Sequence, residues 1–178
     1  MHSDDVFGSF SGLQDDCKGS TDPELVMSPS RELILDSSPC ELALTWNVDP
    51  RLTEKVFTAA LLFQLEARVL GKMGSPKVWI ISGARTKAEQ DALRLEGRPT
   101  AREEVSTHRT CPATGMDISL GNLPTLEQKV AWGRTVMMQG LRWGGGSPLD
   151  GPAIPGPGGT ILLNGIPADW QHVDLGPR

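Results

Sequence analysis

The stretch Val78-Trp79-Ile80-Ile81-Ser82-Gly83-Ala84-Arg85-Thr86-Lys87-Ala88-Glu89 reads as a strand, a break and a helix start in quick succession. Val78–Ile81 is a short apolar run with β-branched residues, the pattern of a buried strand. Thr86 and Glu89 form a capping box, in which the hydroxyl and the carboxylate each satisfy a free backbone donor. The helix it opens runs to about Leu95, with Gly97 and Pro99 to end it. Arg85 stands at the start of that helix, where the macrodipole disfavours a cation. Its presence there calls for another reason.

Upstream, Asp49 can cap a helix with Pro50 at the first position. Leu52, Val56, Ala59, Ala60, Phe63 and Leu70 recur at helical spacing up to Gly71, and Gly74-Ser75-Pro76 breaks the chain before the strand. Downstream, residues 98–110 read as a polar loop and Gly115–Leu120 as a strand. Thr125 and Gln128 offer a second capping box for a helix to about Gln139. Residues 144–159 hold seven Gly and four Pro and read as a long loop. Ile161–Leu163 and Trp170–Leu175 are two further strands. Helices alternating with short strands give an α+β class, a small mostly antiparallel sheet with flanking helices. Trp79, Trp132, Trp143 and Trp170 are core residues on this reading, and Gln90 is structural.

The chain has 178 residues, enough for one domain with a core of its own. Lys+Arg 17 against Asp+Glu 22 gives a net charge of -5, which argues against nucleic acid as a partner. No apolar run reaches the length of a membrane span. The start, Met1-His2-Ser3-Asp4-Asp5, lacks the basic-then-apolar pattern of a signal peptide, so synthesis in a host cytoplasm is expected, with any action outside a cell depending on another means of delivery. Cys17, Cys40 and Cys111 are widely spaced, and an odd count with no CxxC is not a disulfide framework or a cysteine zinc knuckle; free thiols are expected, with one pair the alternative. Residues 1–45 are rich in Ser, Asp, Gly and Pro with little periodicity. They read as an extended arm with short ordered pieces at most, such as Arg31–Leu35. Such an arm is either a loose tail or a segment that docks on a partner. Residues 46–178 form the domain.

Only three histidines occur, and His2 lies in the acidic start. His108 has Asp117 nearby in sequence; His172 has Asp169 and Asp174. Two His and one Asp suffice to hold a catalytic zinc, with a fourth position left for water. His108 and Asp117 are nine residues apart, so a loop or hairpin has to bring them together, and His172 would arrive from the last strand.

Taken in order, Ser82-Gly83-Ala84-Arg85-Thr86, Ser106-Thr107-His108, Gly115-Met116-Asp117-Ile118 and Asp169-Trp170-Gln171-His172-Val173 resemble the M15 zinc peptidases. These are the D-alanyl-D-alanine carboxypeptidases and phage endolysin peptidases, whose fold is shared with the hedgehog signalling domain. Gly140-Leu141-Arg142-Trp143-Gly144 is similar to phage-borne members. The resemblance covers about residues 46–178. It implies His108, Asp117 and His172 as Zn2+ ligands and Asp169 as the catalytic carboxylate. It implies Arg85 as the arginine that steadies substrate and transition state. It further implies a peptidoglycan stem peptide as substrate, cut at a D-alanine or an L-alanine to D-glutamate link. A phage enzyme would act on the wall after lysis or as part of a virion, with the arm docked on a virion or tail protein.

Two departures from the family pattern stand out. Many members place the Asp seven residues after the His, so an insertion around 109–112 must be absorbed in the turn. The base position often holds Glu, and Asp169 is one methylene shorter. Positions three apart in an ideal strand face opposite ways, so Asp169 serves beside His172 only if the strand starts after it. Asp174 shares a face with His172 and is expected to take the other ring N–H. Ser106 is expected to hydrogen-bond near His108, and Cys111 is not expected to ligate. The alternative from another class is a structural or binding module that keeps the fold without turnover.

Overall fold

Three helices begin on capping boxes, and two of these were legible in advance. Thr86 accepts from Glu89 N and Glu89 reaches back to Thr86 N, opening a helix over Lys87–Leu95. Thr125 and Gln128 do the same for Leu126–Met138. The third box is Ser38 with Glu41, with Pro39 at the first position of Pro39–Trp46. In chain order these helices are α1 (Pro39–Trp46), α2 (Pro50–Leu70), α3 (Lys87–Leu95) and α4 (Leu126–Met138). Asp49 opens α2 as expected, its carboxylate accepting from Arg51 N at 3.0 Å. The computed structural model describes residues 31–70, 77–96, 106–110, 112–121, 123–144, 153–156, 161–163 and 165–176.

The strands are β1 (Glu32–Leu33), β2 (Trp79–Ser82), β3 (Gly115–Ser119), β4 (Arg142–Gly144), β5 (Ala153–Pro155), β6 (Ile161–Leu163) and β7 (Ile166–Asp174). They form an antiparallel sheet in the order β1-β2-β3-β7-β6-β5, with β4 also paired to β7. The fold is therefore α+β with a mostly antiparallel sheet. Along β3, Met116 and Ile118 enter the core while Asp117 points to the other face, as the two-residue period of a strand requires.

The core joins Ile80, Met116, Ile118 and Val173 of the sheet to Leu52, Val56, Phe63, Trp132 and Val136 of the helices. Phe63 meets Trp132 edge to face at 5.8 Å. Gly133 lies flat on Trp143: a Cβ there would stand 2.7 Å from the indole, so only glycine lets α4 come this close to β4. Trp46, Trp132, Trp143 and Trp170 are all buried, while Trp79 is half-buried under the Arg31 guanidinium at 4.7 Å. Gln90 is buried in α3. Among the described residues, no helix is long and apolar enough to cross a membrane.

Three expectations need correction. The boundary at residue 45 falls inside α1, and Glu32–Trp46 belongs to the domain. Ile34, Leu42, Ala43 and Trp46 are buried, and Trp46 Nε1 donates to Glu32 Oε2 at 2.7 Å. Burial of these side chains, rather than local periodicity, orders the segment. Residues 1–30 lie outside the described residues. The stretch 144–159 contains β5, because Ala153–Pro155 completes a hairpin with β6 despite the surrounding Gly and Pro. Strand β7 begins at Ile166, earlier than expected. Cys40 is a free, exposed thiol as expected; Cys17 and Cys111 lie outside the described residues.

Candidate metal centre

Strand pairing brings two of the expected ligands together. Asp117 of β3 is the register partner of His172 of β7, so both side chains leave the same face of the sheet. On the other side of β3 the register shifts by a bulge in β2, which sets Ser82 opposite Asp117.

His108 arrives from a turn that is stitched to the segment after β2. Its Nδ1 donates to the Gly83 carbonyl at 2.6 Å, which leaves Nε2 as the nitrogen with a free lone pair. Arg85 N donates to the His108 carbonyl at 2.9 Å, and Arg109 Nη1 donates to the Arg85 carbonyl at 2.9 Å. The segment is held from behind as well, since Ala84 N donates to the Trp46 carbonyl at 3.0 Å. Gly83 has no room for a side chain: a Cβ would meet Trp46 O at 2.5 Å.

The nine-residue span from His108 to Asp117 is pinned midway. Ala113 N donates to the Asn47 carbonyl at 3.0 Å, and Asp49 N donates to the Ala113 carbonyl at 2.8 Å. Thr114 N and Gly115 N both donate to the Thr107 carbonyl, at 2.9 and 3.2 Å, closing the turn back on itself. The nine-residue spacing is taken up ahead of the strand, and Asp117 stands opposite His172.

His172 is oriented by charge rather than by main chain. Its Nε2 donates to Asp174 Oδ2 at 3.1 Å, and the Thr107 hydroxyl lies 3.3 Å from the same nitrogen. Asp174 is buried, and its Oδ1 accepts from Arg142 Nε and from Gly176 N, both at 2.6 Å. Burial pushes the Asp174 carboxyl up, but His172, Arg142 and Gly176 outweigh it and bring the pKa down to about 2.

The inward atoms then meet. His108 Nε2 is 3.2 Å from His172 Nδ1 and 3.2 Å from Asp117 Oδ1, and His172 Nδ1 is 3.0 Å from that oxygen. Donor atoms on a tetrahedral ion with bonds of about 2.0–2.1 Å lie about 3.3 Å apart. The three residues therefore form a buried to half-buried group that could hold a metal ion. Each ring has its outer nitrogen bound to an acceptor and its inner nitrogen aimed at one point, the arrangement that metal-binding histidines adopt. Burial lowers the His172 pKa, but hydrogen bonds to Asp117 and Asp174 overcome this and lift it to about 9. Asp117 is pushed up by burial and held well below the usual carboxylate range by His108, His172 and Arg85.

Asp169 lies within β7, not before it. The expected condition for its use is not met, yet alternation is broken another way. One step along β4, from Trp143 to Gly144, matches four along β7, from Val173 to Asp169. The carboxyl comes close enough to feel Asp117, His172 and His108, while remaining open to solvent. Partial loss of hydration against the neighbouring strands, and then the Asp117 charge, push its pKa up, while His172 and His108 pull it down.

Arg85 Nη2 donates to Asp117 Oδ2, and its Nε donates to Ser82 Oγ at 2.9 Å. Ser106 is buried, and its carbonyl accepts from Arg109 N at 3.0 Å. It is the neighbouring Thr107 hydroxyl that reaches a site histidine. Gly83, Thr107 and Arg142 were missed by sequence reasoning. Arg142 sat in the Gly140–Gly144 motif but gave no sign of its partner, because β4 is only three residues long. No family model matches the sequence, and no curated protein matches it.

Proposed function

We propose that the chain is a zinc metallopeptidase that cleaves peptidoglycan stem peptides, of phage origin and carried in the particle or released at lysis. The observation that carries the metal part is the meeting of His108 Nε2, Asp117 Oδ1 and His172 Nδ1 at 3.0–3.2 Å. Two nitrogens and one carboxylate oxygen suit zinc and leave a position open. The wall-peptide substrate and the phage setting rest on the sequence resemblance alone.

When bound, the ion supplies Lewis acidity and makes water a nucleophile at neutral pH. The chain's own residues do the rest. The Gly83 carbonyl and Asp174 fix which nitrogen of each ring faces inward. Asp169, raised in pKa and beside the group, accepts the proton of the attacking water as its oxygen adds to the peptide carbonyl. The same carboxyl then delivers that proton to the amine as the C–N bond breaks.

Elemental analysis of the purified protein, with His172→Ala beside it, tests the centre. About one zinc per chain, lost in the variant, is expected. A folded protein that takes up no zinc overturns the reading. Hydrolysis of purified peptidoglycan then tests Asp169→Ala, with a fall of about 10²- to 10⁴-fold and zinc retained. Zinc uptake with no cleavage by the unmutated protein would favour the non-catalytic module.

A further inference from the structure

We propose that Arg85 is a positioning residue that restricts Asp117 to a single metal-facing oxygen, and so selects a small four-coordinate cation over a larger oxygen-ligated one. The inference rests on the metal-centre reading above and deepens it. It assigns Arg85 a task on the ligand set itself, in place of the substrate contact that the resemblance implies.

A carboxylate can give a cation one oxygen or two. Bidentate binding suits ions such as calcium, which take six to eight oxygen donors. One oxygen with two imidazole nitrogens leaves a three-donor set with a single open position, the zinc pattern. In this protein the two oxygens of Asp117 are already divided. Oδ1 stands 3.2 Å from His108 Nε2 and 3.0 Å from His172 Nδ1. Oδ2 is occupied by the Arg85 guanidinium.

The guanidinium is itself held on several sides. Its Nε donates to Ser82 Oγ at 2.9 Å, and the β2 bulge puts Ser82 opposite Asp117. The Arg85 main chain is tied at both ends, N–H to the His108 carbonyl and carbonyl to Arg109 Nη1. Only 16% of its side chain is exposed. Arginine alone fits this double duty, because its planar fork can give one donor to Ser82 and another to Asp117. The residue before the helix thus carries a cation against the dipole because the carboxylate beside it needs one.

The test uses the full chain with Co2+ or Zn2+ alone as probe. Four-coordinate Co2+ absorbs strongly in the visible, and five- or six-coordinate Co2+ absorbs weakly. The unmutated protein is expected to give the strong band. Arg85→Ala is expected to lose most of that intensity and to bind Zn2+ about 10- to 100-fold more weakly in competition with a chelator. Arg85→Lys should recover part of the affinity, since it restores the charge but not the fork. An unchanged cobalt spectrum and zinc affinity in Arg85→Ala would overturn the proposal. If circular dichroism shows that Arg85→Ala does not fold, Ser82→Ala decides in its place. That variant should shift both readouts in the same direction by a smaller amount, and no shift would overturn the proposal. Failure of the unmutated protein to bind either ion would instead sink the metal centre as a whole, and the inference with it.

Discussion

The two histidines of the centre are held by opposite means. His108 is fixed by main chain: the Gly83 carbonyl takes its Nδ1 proton, and the 83–85 segment is laced to residues 46 and 108. His172 is fixed by side chains: Asp174 takes its Nε2 proton, and Arg142 compensates Asp174. A neutral dipole holds one ring and a buried carboxylate holds the other. Against the pull of burial, Asp117 and then Asp174 lift the His172 ring to a pKa of about 9. One wall can be altered by changing a functional group; the other can be altered only by moving the backbone.

Asp174→Ala is the sharpest way to break this contrast. It removes the acceptor that orients His172 and leaves Arg142 without its carboxylate. Zinc affinity in chelator competition should fall about 10- to 100-fold. Titration of His172 followed by nuclear magnetic resonance should show its pKa falling toward the ordinary histidine value of 6.5. A pKa still near 9 would mean that Asp117 alone sets it.

Gly83→Ala probes the other wall. The new methyl would press on Trp46 O and Cβ and displace the segment that carries the carbonyl. Overpacking of this kind costs about 1–3 kcal/mol. For a chain of this size that lowers the melting temperature by about 2–4 °C per kcal/mol. The His172 pKa should stay where it is, because its partners are untouched; a drop would show that the two walls are coupled.

A further test of the His172 wall comes from pH. The raised pKa of His172 contributes stability to the metal-free protein that is complete below about 6.5 and lost as pH rises through about 9. Zinc uptake must expel the proton on Nδ1, so affinity should climb over the same interval. Urea unfolding of chelator-treated protein and zinc titration from pH 6 to 10 should therefore run in opposite directions. Parallel trends would contradict the assignment of the proton to His172.

Sequence reasoning reached the parts of the fold that local chemistry encodes. The Thr86 and Thr125 boxes placed α3 and α4, and Asp49-Pro50 placed the start of α2. The Ser38-Pro39-Cys40-Glu41 signal for α1 was equally plain and was passed over, because the polar stretch around it read as an arm. Strands β4 and β5 were not readable, and of β1 only an ordered piece at Arg31–Leu35 was. So short a strand shows no period: β1 and β4 form because distant partners supply hydrogen bonds, and β5 is hidden among the Gly and Pro that surround it. The same limit applies to the centre. His108, Asp117, His172 and Asp174 stood out by type and spacing, and the structure draws them together. The contact of Arg85 with Asp117, or of Arg142 with Asp174, spans 32 residues and follows from sheet register, which no local pattern carries.

The paired hydrogen bonds at Ala113 divide the loop between His108 and Asp117 into unequal halves. From Ala113 onward the chain is locked to residues 47–49 and then to the sheet, so its length cannot change without turning Asp117 to the wrong face. Between His108 and Ala113 a residue gained or lost leaves both anchors in place, at the expense of side-chain ties from Arg109 to the Arg85 carbonyl and between Thr110 and Thr114 N. Length variation among descendants of this chain should collect in residues 109–112. A search pattern for such centres should fix the count from Ala113 to Asp117 and leave the count before it free.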